Sequence, residues 1–291
     1  MRRVLWFPVS LAISAACIGA TVLAMPLGQA PAPAAASAST VSPGPSSSKV
    51  WVGHYAEYED FLRTAEIVRT EAPKEGVTGG TTHVYFKPGG LAAAGALRNL
   101  RPGTRDGYFE SYKSEIAAYK LDRMLELDMV PPAVERVYKG ESMSIQLWAE
   151  NTRMLKQLQA AKIPFPATTE MTRQFGRQKV FDDLVANIDE NATNMLFDAV
   201  WNVLKIDHSR AFTNVMTQPF EVGVAGGKGV TRIDRPFLDK VRKLDRASLD
   251  RELGKFVEGG AVNAILQRRD AIVKGFDKLI AKSGEANVYL P

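Results

Sequence analysis

Between residues 31 and 48 the chain reads PAPAAASASTVSPGPSSS, and this stretch decides how much of the sequence is left to fold. Proline, alanine and serine carry too little apolar bulk to offset the entropy of ordering the backbone, so an extended linker is expected there. Ahead of it, Met1-Arg2-Arg3 gives a basic start and residues 4–24 a mostly apolar run. Basic and then apolar is the order of an export signal. Val22-Leu23-Ala24 and Gly28-Gln29-Ala30 both place small residues at the spacing a signal peptidase needs. At ~20 residues the run is also long enough to span a bilayer if retained. A cleaved signal over residues 1–30 and a membrane tether through residues 4–24 therefore both fit. A lipoprotein does not, because Ser14 stands where an aliphatic residue is expected before Cys17, and apolar sequence continues after it.

Residues 49–291 remain, enough for one well-buried core or two small lobes. Cys17 is the only cysteine, so this part is expected to hold no disulfide even in an oxidising compartment. The net charge of +5 falls to +3 without Arg2 and Arg3 (37 − 2 − 32). That balance is only mildly basic, and no dense Lys/Arg stripe carries interleaved aromatics, so nucleic acid is not an expected partner.

Residues 66–70 and 82–87 read as strands, with a turn over Gly76-Val77-Thr78-Gly79-Gly80 between them and a stop at Pro88-Gly89-Gly90. Residues 111–127 predict a helix with Ser111 as its N-cap. Ala117, Ala118, Leu121, Met124 and Leu125 form one stripe of it, and Tyr112, Glu115, Tyr119 and Asp122 a second. Two such faces describe a helix clamped between a sheet and a cleft. Met129-Val130-Pro131-Pro132 ends it. Strands are expected at 134–138 and 144–148 around Lys139-Gly140. Beyond them Val180, Phe181, Leu184, Val185 and Ile188 make a helical stripe leading into Asp189. A hairpin over 194–197 and 201–206 follows, then helices at 236–244, 247–257 and 261–282.

The strongest chemical signal is Asp189, with Asn194 five residues on and Asp207 thirteen residues beyond that. Phosphoryl transfer needs a carboxylate to orient the attacking hydroxyl and oxygen ligands to hold a divalent ion on the phosphates. Asp189, and Asn194 paired across a short hairpin with Asp207, supply those parts. Asp and Asn also turn ordinary loops, so the spacing alone does not decide.

The wider pattern resembles a known group. Val180-Phe181-Asp182-Asp183-Leu184-Val185-Ala186-Asn187-Ile188-Asp189 with Asn194-Met195-Leu196 is similar to the catalytic segment of atypical kinases, the secreted Golgi casein kinase and four-jointed group and, more distantly, the phosphatidylinositol kinases. Ile206-Asp207-His208-Ser209-Arg210-Ala211-Phe212 resembles their metal-binding segment, and Ser114 to Leu125 with Val130-Pro131-Pro132 their helix C and the strand after it. The resemblance implies an α+β, bilobal, protein-kinase-like fold. A small β-rich N-lobe with helix C would cover about 49–148, and a larger, mainly helical C-lobe about 149–291. It further implies ATP with Mg²⁺ or Mn²⁺, a hydroxyl-bearing acceptor on a protein, glycan or small molecule, and an exported protein, periplasmic, extracellular or membrane-anchored.

Carried over by position, Asp189 is the catalytic aspartate, Asn194 and Asp207 are metal ligands, and Glu115 is the helix-C glutamate. The family's nucleotide-holding lysine is missing from its place. Arg98, in Ala96-Leu97-Arg98, stands there instead, and Lys87 on the preceding strand competes for the role. Arginine and lysine are not interchangeable at a phosphate. Lys87 acting, Arg98 acting, and a pseudokinase-type module that binds nucleotide or a partner without transfer all stay open. Gly76 and Gly79 offer a loop over the phosphates but lack the G-x-G-x-x-G spacing, and residues 144–148 fall where the interlobe hinge belongs. Gly223-x3-Gly227-Lys228-Gly229 is one residue short of a P-loop and lacks its Ser/Thr. His54, His83 and His208 have no zinc spacing, and Arg268-Arg269-Asp270 reads as an ion-pair cluster that packs the lobes.

Overall fold

The computed structural model describes residues 46–72, 80–213 and 229–291. The expectations for residues 1–30, for the linker up to residue 45, for Gly76 and Gly79, and for the loop before Gly229 lie outside the described residues. Ser48, which composition assigns to the linker, belongs to the folded body. Its N–H donates to Asp198 Oδ2 (3.0 Å) and its hydroxyl to the Glu150 carbonyl (2.6 Å).

The small lobe opens with α1 (Tyr55–Thr64), which buries Tyr58 and Leu62, one turn apart. Strands β1 (Ile67–Glu71), β2 (Thr81–Phe86) and β3 (Ala94–Arg98) follow, then a small hairpin of β4 (Gly103–Arg105) and β5 (Tyr108–Glu110). Asp106 and Gly107 close that hairpin with φ of 49° and 83°. An Asp-Gly pair in this left-handed conformation suits a two-residue hairpin turn. Helix α2 (Tyr112–Leu125) comes next, with Ser111 Oγ accepting from Lys113 N as its cap, and then β6 (Ala133–Tyr138) and β7 (Glu141–Leu147). The five long strands form an antiparallel sheet in the order β1-β2-β3-β7-β6. Cross-strand partners share a face. His83 opposite Ala96, and Arg98 opposite Ser144, therefore lie on one side, while Leu97 opposite Ile145 lies on the other. The second side packs Val84, Leu97 and Ile145 with Trp51, Tyr58 and Leu62.

The larger lobe begins with β8 (Arg153–Met154), α3 (Leu155–Ala160) and α4 (Thr169–Val185). A hairpin of β9 (Met195–Phe197) and β10 (Val203–Lys205) follows. Trp201, expected to start the second strand, sits in the turn with φ of 68°, where Asp198 accepts the Val200 and Asn202 N–H groups. Helices α5 (Arg235–Lys243), α6 (Arg246–Leu253), α7 (Ala261–Ser283) and α8 (Glu285–Val288) complete the described residues. Asp234 and Asp245 cap α5 and α6 through the N–H groups of Phe237 and Ser248.

Two apolar cores result, and they exchange elements. Ile116, Leu121 and Leu125 of α2 pack with Phe181, Leu184, Phe237, Ile265 and Phe276 in the helical core. Leu196 and Leu204 of the β9–β10 hairpin pack in the sheet core instead. The second, polar-bearing stripe of α2 is buried too. Tyr112 OH donates to Glu135 (2.7 Å), Tyr119 OH to Glu59 (3.0 Å), and Asp122 Oδ2 accepts Met129 N (2.9 Å) and Val130 N (3.0 Å). Both stripes are buried, but the helix is clamped between the sheet and the helical core rather than between a sheet and a cleft.

Candidate active site

Helix α4 stops because Ala186 turns left-handed (φ 48°), and the N–H groups of Ala186 and Asn187 bond back to the Asp183 and Asp182 carbonyls. The loop that follows wraps its own amides around Asp189. The Asp189 carbonyl accepts Nδ2 of Asn191 (3.0 Å) and of Asn194 (3.1 Å), leaving the carboxylate 44 % exposed. Arg210 Nη1 lies 3.4 Å from that carboxylate. Arg210 in turn donates Nε to Glu110 on β5 (2.7 Å) and lies 4.8 Å over the Tyr108 ring.

Asn194 is buried, and its carbonyl accepts Ile206 N (3.0 Å), a rung that sets it beside Asp207. Asp207 has φ of 62°, a conformation Asp tolerates better than most residues. The chain bends there, and the Ser209 hydroxyl donates to Asp207 Oδ1 (3.0 Å).

Arg98, at the end of β3, reaches into this bend. Its Nε is 3.0 Å from Glu115 Oε1 and its Nη1 2.8 Å from Asp207 Oδ1, with side chains 11 % (Arg98), 3 % (Glu115) and 25 % (Asp207) exposed. Glu115 Oε2 accepts His208 N (3.0 Å). Burial raises the Glu115 carboxyl well above its ordinary value, with Arg98 pulling it down and Asp207 pushing it up. His208 is held neutral, pushed down to about 3 by burial and by the Lys205 and Arg98 charges. Further rungs run from Ser111 N to the Ser209 carbonyl (2.9 Å) and from the Ser114 hydroxyl to the Ala211 carbonyl (3.4 Å). Residues 110–115 are thus laced along residues 207–211.

Lys87 does not join this cluster. Its Nζ pairs with Glu66 (3.0 Å), and both side chains are more than half exposed. Arg98 alone of the two candidate cations meets Glu115 and Asp207. Under the loop lies a network that the sequence reading missed. Lys205 is fully buried and pairs with Asp182 Oδ2 (3.1 Å) and Glu190 Oε2 (2.5 Å). Asn187 Nδ2 donates to Glu190 (3.1 Å) and Gln178 Nε2 to Asp182. Burial, then Asp182, push the Glu190 carboxyl up to about 7 against the pull of Lys205. The only hint in sequence is a lysine within the otherwise apolar Val203-Leu204-Lys205-Ile206. Arg210 and Glu110 gave none. Arg268 also departs from expectation: it bonds the Leu184 (2.8 Å) and Thr213 (3.3 Å) carbonyls, and Arg269 pairs with Asp270 (2.7 Å).

On Arg98's side of the sheet, His83 stacks on Trp148 at 4.0 Å, beside Ala96. Among the described residues no three His, Cys, Asp or Glu side chains converge on a metal position. Asn194 and Asp207, drawn together along the hairpin by the Ile206–Asn194 rung, are hard oxygen donors, a pair that suits a cation bringing phosphate ligands with it rather than one caged by protein alone.

No protein-family profile matches the sequence, and no curated protein matches it. Solved structures do match in fold. The Golgi casein kinase with Mn/ADP bound superposes with a TM-score of 0.58 at 12 % identity, over 81 % of this chain and 78 % of that one. Hydra Fam20 with sugar gives 0.58 at 13 % identity, over 81 % and 91 %. The Helicobacter pylori proinflammatory kinase CtkA gives 0.50 at 13 %, over 76 % and 98 %. The fold is bilobal and kinase-like.

Proposed function

We propose that this kinase-fold chain transfers the terminal phosphoryl group of ATP to a hydroxyl on a protein, glycan or small molecule. The observation that carries the reading is the convergence of Arg98, Glu115 and Asp207, each from a different element, with the Asn194–Ile206 rung ending one residue before Asp207 and Asn194 bonded to the Asp189 carbonyl. The exposed Asp189 carboxylate orients the acceptor hydroxyl and takes its proton as the new O–P bond forms and ADP leaves. Arg210 and the two asparagine amides hold Asp189 in place. Arg98 presents a planar cation to the phosphates, fixed by Glu115. Ala96 and the His83–Trp148 stack offer a flat roof to the base. Magnesium or manganese, held by Asp207 and Asn194, would neutralise charge on the phosphates. Residues 1–30 make the exported or membrane-tethered side the proposed place of action.

A second reading has its own support. Arg98 already contacts Asp207 Oδ1, the oxygen a metal would seek, which suits a module that binds nucleotide or a partner without transfer. The test is labelled-phosphate transfer by the purified full chain with ATP and Mg²⁺ or Mn²⁺, beside thermal unfolding. Nucleotide at ten times its dissociation constant stabilises by ~1.4 kcal/mol, roughly 3–6 °C here. Transfer that Asp189→Asn abolishes while the thermal shift survives supports the kinase. A shift lost in Asp207→Ala but no product under either metal supports the binding module. Neither shift nor product sinks the kinase and the nucleotide-binding module and leaves a partner-binding one.

A further inference from the structure

The reading of this cleft as a phosphotransfer site leaves open why an arginine stands where the resemblance expects lysine. We propose that Arg98, shared between Glu115 and Asp207, makes divalent-metal binding at this site depend on the nucleotide. One guanidinium addresses two carboxylates through separate nitrogens, Nε to Glu115 Oε1 at 3.0 Å and Nη1 to Asp207 Oδ1 at 2.8 Å. The planar fork of arginine does this from two nitrogens in fixed directions, whereas an ammonium has to share one nitrogen between its carboxylates, as Lys205 does between Asp182 and Glu190. Asp207 Oδ1 also accepts the Ser209 hydroxyl, and Glu115 Oε2 accepts His208 N. Arg98 is further braced by the Ser209 hydroxyl at 3.4 Å, and it and Glu115 are almost closed to solvent, so the pair is not a screened surface contact.

A divalent ion arriving alone meets two carboxylates that already share one guanidinium, with its positive charge fixed beside the Asp207 oxygen the ion would take. Like charges that close are costly wherever water is excluded. The same ion arriving on a di- or triphosphate brings anionic oxygens that satisfy both it and the guanidinium. Arg98 then serves as a phosphate ligand rather than a competitor. Glu115 Oε1 has its ion-pair partner but no well-directed hydrogen bond, which leaves the clamp room to readjust. A lysine at this position would have to share one nitrogen between the two carboxylates, and a metal would draw it off Asp207 more readily. Arg98 is in this sense the residue that sets the order of ligand entry.

The test is Mn²⁺ binding to the full chain, read from the paramagnetic resonance of free Mn²⁺, with and without ADP. Wild type is expected to take up Mn²⁺ with ADP and at least tenfold more weakly without it. Arg98→Gln is expected to bind Mn²⁺ alone at least tenfold more tightly than wild type, and Mn²⁺ alone to raise its Tm but not that of wild type. Arg98→Lys should fall between them and carries the comparison if Arg98→Gln does not fold. Wild type binding Mn²⁺ alone as tightly as either variant overturns the proposal and leaves the phosphotransfer reading standing. No Mn²⁺ uptake by any of the three proteins with ADP at millimolar concentration overturns both.

Discussion

Replacing Lys205 by methionine should be among the most damaging single changes in the larger lobe, and its cost should depend on pH. The ammonium is fully buried, 3.1 Å from Asp182 and 2.5 Å from Glu190. Methionine fills much of the space but leaves two carboxylates with no counter-charge. Removing one partner from a buried pair costs about 3–5 kcal/mol, and at 2–4 °C per kcal/mol for a domain of this size the loss in Tm is roughly 6–20 °C. Both carboxyls already sit above their ordinary range through burial, Glu190 at about 7, and Lys205 is what pulls them down. Without it they rise further. A carboxyl raised in the folded state favours folding below its unfolded value, near pH 4, and loses that contribution as pH climbs toward the folded value. The deficit of Lys205→Met against wild type should therefore be largest near pH 8 and shrink by pH 5. Adding Asp182→Asn and Glu190→Gln should recover most of it. Urea titrations followed by circular dichroism at the two pH values measure this directly. A deficit under 1 kcal/mol, or one independent of pH, would show that the network is hydrated and refute the argument.

Other groups give similarly sharp expectations. Asp234 caps α5 through Phe237 N and holds Arg177 with two bonds of 2.8 and 2.7 Å, so Asp234→Ala should lose about 2–4 kcal/mol in urea unfolding at pH 7. Its folded carboxyl sits below the ordinary value, with Arg177 overcoming burial, so that contribution should fade as pH falls below 4. Asp122 runs the opposite way: burial pushes it up to about 7, partly offset by the Met129 and Val130 amides and by Lys49. Asp122→Asn should accordingly be more stable than wild type at pH 8, with the gain gone by pH 4; equal stability at both would contradict the assignment. A Cβ on Gly95 would stand 3.1 Å from the Gln146 carbonyl and from the Phe86 ring, and Gly95→Ala should cost about 1–3 kcal/mol by overpacking, read as a fall in Tm.

The parts of the fold that could be read from sequence are those with a period and a cap. Helix α2 announced itself through Ser111 and two stripes, α7 through its long apolar repeat, and the β9–β10 hairpin through its place between Asp189 and Asp207. Helix α1 escaped because it buries only Tyr58 and Leu62 and has no side-chain cap at His54. The β4–β5 hairpin was available in Asp106-Gly107 and was overlooked. In the candidate site, residue order brought Asp189, Asn194 and Asp207 into view, but the choice between Arg98 and Lys87 turned on the register that sets Arg98 opposite Thr81 and leaves Lys87 past the other end of that strand. No local pattern encodes that. Lys205 was invisible for the same reason: a buried lysine is spelled like any surface lysine, and only its partners from α4 and the loop mark it.

The exchange between the two cores bears on how such a protein can be controlled. Helix α2 carries Glu115 but packs on α5 and α6 within the helical core, while Leu196 and Leu204 of the β9–β10 hairpin lie in the sheet core. Each half therefore supplies part of the other's interior, and neither half is a separable folding unit. Swinging α2 away from residues 207–211 would tear apolar surface out of one core without exposing a second seat for it. An architecture of that kind makes a swing of α2 costly. Under the proposed phosphotransfer, control would then fall to the supply of ligands and acceptors rather than to a movement of that helix.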